Sequence, residues 1–453
     1  RNPFRLGAKD TRPFVKEGAG RIGSSSNGRS PMTFDFDDPK YYDLQAVEKE
    51  LERVTELCDG CRRCYRLCTS FDYMLDDCVD RYEGDIAKIT SAEYRKMVDL
   101  CWQCKLCYNH CPYTPPHKWA IDFPRLMLRA KAARARHEGV TLQDKALGDV
   151  DLVGAVGSAT APLSNWANSF APHRAVMEKV LGIDKSRKLP TFHRQTFAAW
   201  MTARGTRVER PATAVTLFYS CSVNYNEPQV GRDLVGVLEK NGCAVKCPEQ
   251  VCCGMPFLDG GDVEGARRNA RRNLTTLKGA VERGEKVLVP QPTCSYVLKH
   301  EYPLLVPGAE SKALSAATMD VFEYLALRKA EGTLNDEFTG KTPGRVAYQM
   351  PCQLRAQNMG YKTRDVLQAI PGTSVNVVEK CTAMDGTWGM KKEYFPISMQ
   401  FARKAADEMA ASNPDVGCTD CSLSALQIEE ASGKKPVHPI TLLREAYGLP
   451  EEK

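Results

Sequence analysis

The sequence predicts an α+β multidomain chain, a helical domain followed by two copies of one α/β domain. Three observations predict it. Apolar residues in the first third recur at helical spacing, with Leu44, Val47, Leu51 and Val54 three and four positions apart. From about residue 213 short apolar runs alternate with helical stretches, the mark of a parallel sheet covered by helices. That alternation then occurs a second time in the same order. A length of 453 residues leaves room for roughly two to four domains. A composition of 26% charged and 43% hydrophobic residues is that of a globular chain. The net charge of +6 is too small and too dispersed to argue for nucleic acid as a partner. No run of ~18 apolar residues suggests a membrane-spanning helix, and no secretory leader pattern is visible.

Residues 1–40 are rich in Gly, Ser, Pro, Arg and Asp and are expected to form an irregular arm. The string Gly18-Ala19-Gly20-Arg21-Ile22-Gly23 fits a dinucleotide fingerprint, but Ser24-Ser25-Ser26 follows it where a helix is required. Residues 41–205 are expected to hold the helical domain and, from 136 on, helical pieces and a connector. The first α/β domain is expected over 206–338. Ala214–Tyr219 reads as a strand, Val230–Leu238 as a helix and Cys243–Val245 as a strand. The second is expected over 339–453. Arg345–Tyr348 reads as a strand, Thr363–Ile370 as a helix and Ser374–Val378 as a strand.

The chemistry lies in the 19 cysteines. Cys58-x2-Cys61-x2-Cys64-x3-Cys68 recurs 43 positions later as Cys101-x2-Cys104-x2-Cys107-x3-Cys111-Pro112. This is the bacterial ferredoxin spacing, in which three thiolates of one run and the fourth of the other hold each [4Fe–4S] cluster. The first cluster should use Cys58, Cys61, Cys64 and Cys111, and the second Cys101, Cys104, Cys107 and Cys68. The helical domain is therefore expected to be of the two-cluster ferredoxin type. Zinc needs only four ligands per site and leaves the third cysteine of each run unexplained. Each α/β domain offers four more thiols near strand ends, where sites form in such sheets. They are Cys221, Cys252, Cys253 and Cys294, then Cys352, Cys381, Cys418 and Cys421. Buried free cysteines acting as small hydrophobes are the alternative for these eight. Cys78, Cys243 and Cys247 are left over and are expected in the core.

Two cluster runs followed by two C-x~30-C-C-G…C units resemble the heterodisulfide-reductase-type, cysteine-rich (C-C-G domain) iron–sulfur proteins. The similar segments are Cys252-Cys253-Gly254-Met255-Pro256, Pro292-Thr293-Cys294-Ser295, Met350-Pro351-Cys352, Lys380-Cys381-Thr382-Ala383-Met384, Cys418-Thr419-Asp420-Cys421 and Val437-His438-Pro439. The resemblance covers roughly residues 50–450. It implies one or two further [4Fe–4S]-type clusters in the C-terminal repeats. Two departures stand out: Val297 in place of a last cysteine after Cys294, and Thr382 in place of a paired cysteine after Cys381. Disulfide-reducing relatives hold a noncubane cluster with five cysteines, so four per unit suit a cubane electron carrier, a labile site or an empty one. No residue is expected to be catalytic. The resemblance implies a subunit that relays single electrons between a partner flavoprotein or dehydrogenase and an acceptor such as quinone, in a hetero-oligomer. A reductase acting directly on a disulfide or peroxide is the alternative. The expected location is the cytoplasm, or the periphery of the inner membrane if the acceptor is quinone. His110, His300 and His438 are weighed as groups near clusters, and Arg267-Arg268 with Arg271-Arg272 as a solvated or docking face.

Overall fold

The computed structural model describes residues 34–205, 207–208 and 211–452. The Gly18–Gly23 string and most of the expected arm lie outside the described residues.

The N-terminal domain is built from helices. Asp43 starts Leu44–Cys61 by accepting the backbone N–H of Ala46 at 2.7 Å, one of the amides a helix start leaves unpaired. Its Val47, Leu51 and Val54 face a core shared with Phe71, Met74, Met97, Leu126 and Met127. The helix Phe123–Glu138 begins with Pro124 in its first turn, where no amide is needed. Arg62 and Lys105, 43 positions apart, both take a left-handed backbone (φ 50° and 61°), so the sequence repeat is also a backbone repeat.

Two parallel sheets follow. The first runs β2–β1–β3–β4, from Thr213–Leu217 (β1), Cys243–Lys246 (β2), Lys286–Val289 (β3) and Thr318–Asp320 (β4). The second runs β6–β5–β7, from Arg345–Gln349 (β5), Ser374–Val378 (β6) and Val416–Cys418 (β7). Every pairing is parallel, and both sheets place their first strand between their second and third. The duplication read from the sequence is thus a duplication of fold. One apolar core, from Leu217 and Leu234 to Val346, Leu367 and Leu443, runs through both domains.

Residues 142–181 fold into four short helices, Leu142–Gly148, Val150–Ala159, Leu163–Ser169 and Ala171–Leu181. The chain then straps across the second α/β domain, where buried Arg187 meets Glu430 at 2.7 Å. Arg267 is not part of a solvated face. It is buried and donates to Asp37 at 2.7 Å and to the Leu305 carbonyl at 2.9 Å. The end of the arm, through Phe36 and Tyr41, packs on the core of the first α/β domain.

Candidate iron–sulfur sites

Cys58 and Cys61 lie in the last turn of Leu44–Cys61, and Cys64 follows the left-handed Arg62. Cys111 comes from the other run, just past the short helix Leu106–His110. These four thiols line one small cavity with Leu57, Phe71, Leu75 and Ile121. Cys68, Cys101, Cys104 and Cys107 form a second group, close enough that the neighbouring thiols raise one another's pKa. Burial first, then Cys111 and Cys61, pushes Cys64 to about 12, and burial pushes Cys101 to about 12. Such thiols ionise only when a cation compensates the charge.

The α/β domains open a third site. A cavity of about 130 Å³ lies where the C-terminal strand ends of the two sheets face each other. Its wall contains Cys221, Cys252, Cys253 and Cys294 of the first domain and Cys352, Cys381 and Cys421 of the second. In the first domain the thiols form a chain within hydrogen-bonding reach, from Cys221 to Cys252 to Cys253 to Cys294. In the second, Cys381 reaches Cys352 on one side and Cys104 of the helical domain on the other. The cavity therefore adjoins the second ferredoxin-type thiol group directly.

The two halves correspond in strand order and register. Cys252-Cys253-Gly254-Met255 corresponds to Cys381-Thr382-Ala383-Met384. Gly254 has φ 96° and Ala383 has φ 52°, so the same left-handed turn presents the thiols in both. An added Cβ on Gly254 would stand 3.2 Å from the Ala266 Cα, which explains glycine there. Gln291, the residue before the short helix Pro292–Tyr296, corresponds to Cys421, the residue before the helix Ser422–Ser432. Leu288 and Cys418 hold the same place in the two sheets, paired with Leu217 and Tyr348, so Cys294 corresponds to Ser424. The first domain thus differs at Gln291, not at Val297, which is fully buried in its core. Gln291 lines the cavity and donates to the Ser422 hydroxyl at 2.7 Å.

The structure does not bring Cys418 to the cavity. It ends β7 with no exposed surface, packed in the shared apolar core. Cys78 and Cys243 are likewise fully buried in cores, and Cys247 packs beside one. His438 caps the helix Pro439–Ala446 by accepting the Ile440 N–H, and its other nitrogen faces the Pro290 carbonyl at 3.3 Å. His110 faces the Arg63 carbonyl at 3.2 Å, and the His300 ring tilts against Tyr296.

Among the described residues, no three His, Cys, Asp or Glu side chains are arranged to hold a single metal ion. The thiols are spread around cavities instead. Soft sulfur donors in apolar walls, set at the corners of a space, fit a polynuclear iron–sulfur core.

Comparison with known proteins follows the same division. Residues 51–138 match the citrate utilization protein B Fer4-like domain. Residues 215–299 and 346–429 each match the cysteine-rich domain. The chain is 31% identical over 395 residues to a subunit of the anaerobic glycerol-3-phosphate dehydrogenase of Escherichia coli (strain K12), covering 76% of this chain and 98% of that relative. The chain belongs to the family of that dehydrogenase subunit. Other members of the wider group share less of the chain. A subunit of the fumarate reductase (CoM/CoB) of Methanothermobacter marburgensis is 29% identical over 52% of this chain and 45% of its own length. The lactate utilization protein A 1 of Bacillus cereus is 29% identical over 44% of this chain and 84% of its own length. The chain is an iron–sulfur electron-transfer subunit of the oxidoreductase type.

Proposed function

We propose that this subunit relays single electrons between a partner dehydrogenase and a further acceptor, through two [4Fe–4S] clusters in the helical domain and at least one more centre in the shared cavity. We assign the first cluster to Cys58, Cys61, Cys64 and Cys111, and the second to Cys68, Cys101, Cys104 and Cys107. A third centre would use Cys221, Cys252, Cys253 and Cys294, and a fourth, with Cys352, Cys381 and Cys421, would have three thiols. The division into 1–40, 41–205, 206–338 and 339–453 goes with this assignment. The reading rests on one observation above all: Cys104 lies within hydrogen-bonding reach of Cys381, so thiols of separate domains meet without an insulating layer. When bound, the clusters supply one-electron redox chemistry. The chain's own residues ligate, exclude water and set the spacing.

The helices of residues 142–181 support a peripheral seat at a membrane. Leu142, Leu152, Val153, Val156, Leu163, Trp166, Phe170, Val176 and Val180 are each at least 43% exposed, and they are nine of the thirteen exposed large apolar side chains among the described residues. No Asp, Glu, Lys or Arg occurs between Asp151 and Arg174. A patch of this kind, with stacked Trp166 and Phe170, suits the headgroup–acyl boundary of a lipid surface. No helix among the described residues is long and apolar enough to cross a membrane. Asp151, beside Leu152, accepts the backbone N–H of Cys252 at 2.7 Å, which ties this face to the cavity. A quinone is the acceptor class that such a position would serve.

The test is anaerobic purification with iron and acid-labile sulfide counted, then reductive titration followed by electron paramagnetic resonance. Twelve or more irons per chain, in centres that a partner dehydrogenase reduces with its substrate, are expected. About eight irons, four per ferredoxin-type cluster, would defeat the assignment of the cavity.

A further inference from the structure

Trp102 stands between Cys101 and Cys104 in the second ferredoxin-type run but reaches out of its own domain. It lines the shared cavity. Its ring lies 5.3 Å from Trp388 and 4.8 Å from Phe401, both of the second α/β domain. It belongs to one apolar cluster with Cys68, Cys104 and Cys381. Only 3% of Trp102 is exposed, and its indole N–H has no hydrogen-bond partner. An unpaired donor buried this deeply is destabilising unless something absent from the polypeptide accepts from it. Two other orphaned side-chain atoms belong to residues of the cavity wall, the Gln353 Oε1 and the Asp385 Oδ2, and both are oxygens. Trp102 therefore supplies the orphaned N–H of this wall, and an inorganic sulfide or a bound thiolate is an acceptor. By contrast, the Trp388 N–H is satisfied by the Asp99 carbonyl at 2.8 Å.

We propose that the Trp102 indole N–H donates a hydrogen bond to a sulfur of the centre held by Cys352, Cys381 and Cys421, and raises the reduction potential of that centre. This rests on the cavity holding a centre, as proposed above. A donor directed at sulfur favours the reduced, more negative state, so its removal lowers the potential. Trp102 acts as a positioning and tuning residue and carries no bond-making step.

The experiment uses the full chain labelled with 15N-tryptophan, purified anaerobically, as the unchanged protein and as Trp102→Phe and Trp388→Phe. Phenylalanine keeps a ring against Phe401 and removes only the donor. Pulsed electron paramagnetic resonance of the reduced protein should show a 15N coupling to one centre, present in Trp388→Phe and lost in Trp102→Phe. The iron count of Trp102→Phe should match that of the unchanged protein, with one midpoint potential shifted downward and the others unmoved. No 15N coupling in the unchanged protein, or a Trp102→Phe titration that superimposes on it, overturns the proposal, and a buried water then satisfies the indole. If Trp102→Phe loses iron, the coupling in the unchanged protein decides alone. An iron count of only about eight in the unchanged protein would instead remove the cavity centre, and the two failures are told apart by that count.

Discussion

Lys131 offers a sharp test of how the three domains are held around the cavity. It comes from the helix Phe123–Glu138, and its ammonium meets Asp259 of the first α/β domain at 2.5 Å. Asp259 in turn accepts the hydroxyl of Thr387 from the second α/β domain at 3.0 Å. Burial pulls the Lys131 pKa down, and the Asp259 carboxylate more than offsets it, so the ammonium stays charged. Lys131→Met keeps the aliphatic stem and strands a buried carboxylate. Removing one partner of a buried pair costs about 3–5 kcal/mol. Asp259→Asn in the same chain removes the stranded charge and still accepts from Thr387, and should recover about 2 kcal/mol. Anaerobic denaturant unfolding, with iron counted before each titration, measures both steps. A loss below about 1 kcal/mol in Lys131→Met, or no recovery in the double variant, would refute a three-domain tie centred on this pair.

Cys421→Ser should release cavity iron, whereas Cys418→Ala should keep the full iron count and lose only on the order of 1 kcal/mol of stability, with chemical iron analysis separating the two. Burial, then Asp420, raises the Asp320 pKa to about 8. Stability from protonated Asp320 is complete below the ordinary carboxylate range and is lost as pH rises through about 8, by up to about 1.4 kcal/mol per pH unit. Asp320→Asn should flatten that slope in denaturant titrations between about pH 5 and 8. Trp166→Glu with Val156→Glu should abolish flotation with anionic lipid vesicles while leaving the iron count and thermal transition unchanged, and retained flotation would move the lipid contact elsewhere.

Much of this is legible in the primary structure because the chemistry imposes fixed spacings. The 43-residue repeat of the cysteine runs predicts which thiols interleave, and the structure places Cys111 with Cys58, Cys61 and Cys64. Ser374–Val378 is readable as a strand to the residue because β-branched valines alternate there. Contacts that depend on how whole domains dock carry no local signal. The meeting of Cys104 with Cys381 and the burial of Arg267 against Asp37 are of this kind. Counting forward from Cys294 points to Val297 as the counterpart of the missing cysteine, but the match is set by the strand end and by Gln291 before it. Residues 142–181 read as helical, yet nothing in their periodicity tells that their apolar side chains face outward.

The cavity wall has a consequence for biogenesis. Its contributors run from Trp102 through Cys221 and Cys294 to Ser424. A nascent chain that has emerged only as far as β4 presents an open half-bowl of four thiols to oxygen and to stray copper. The bowl closes when β7 and the helix after it swing into place. The side of the chamber that carries Cys352, Cys381 and Cys421 is completed only with nearly the whole polypeptide, whereas the four thiols of the first α/β domain and those of the helical domain are made well before it.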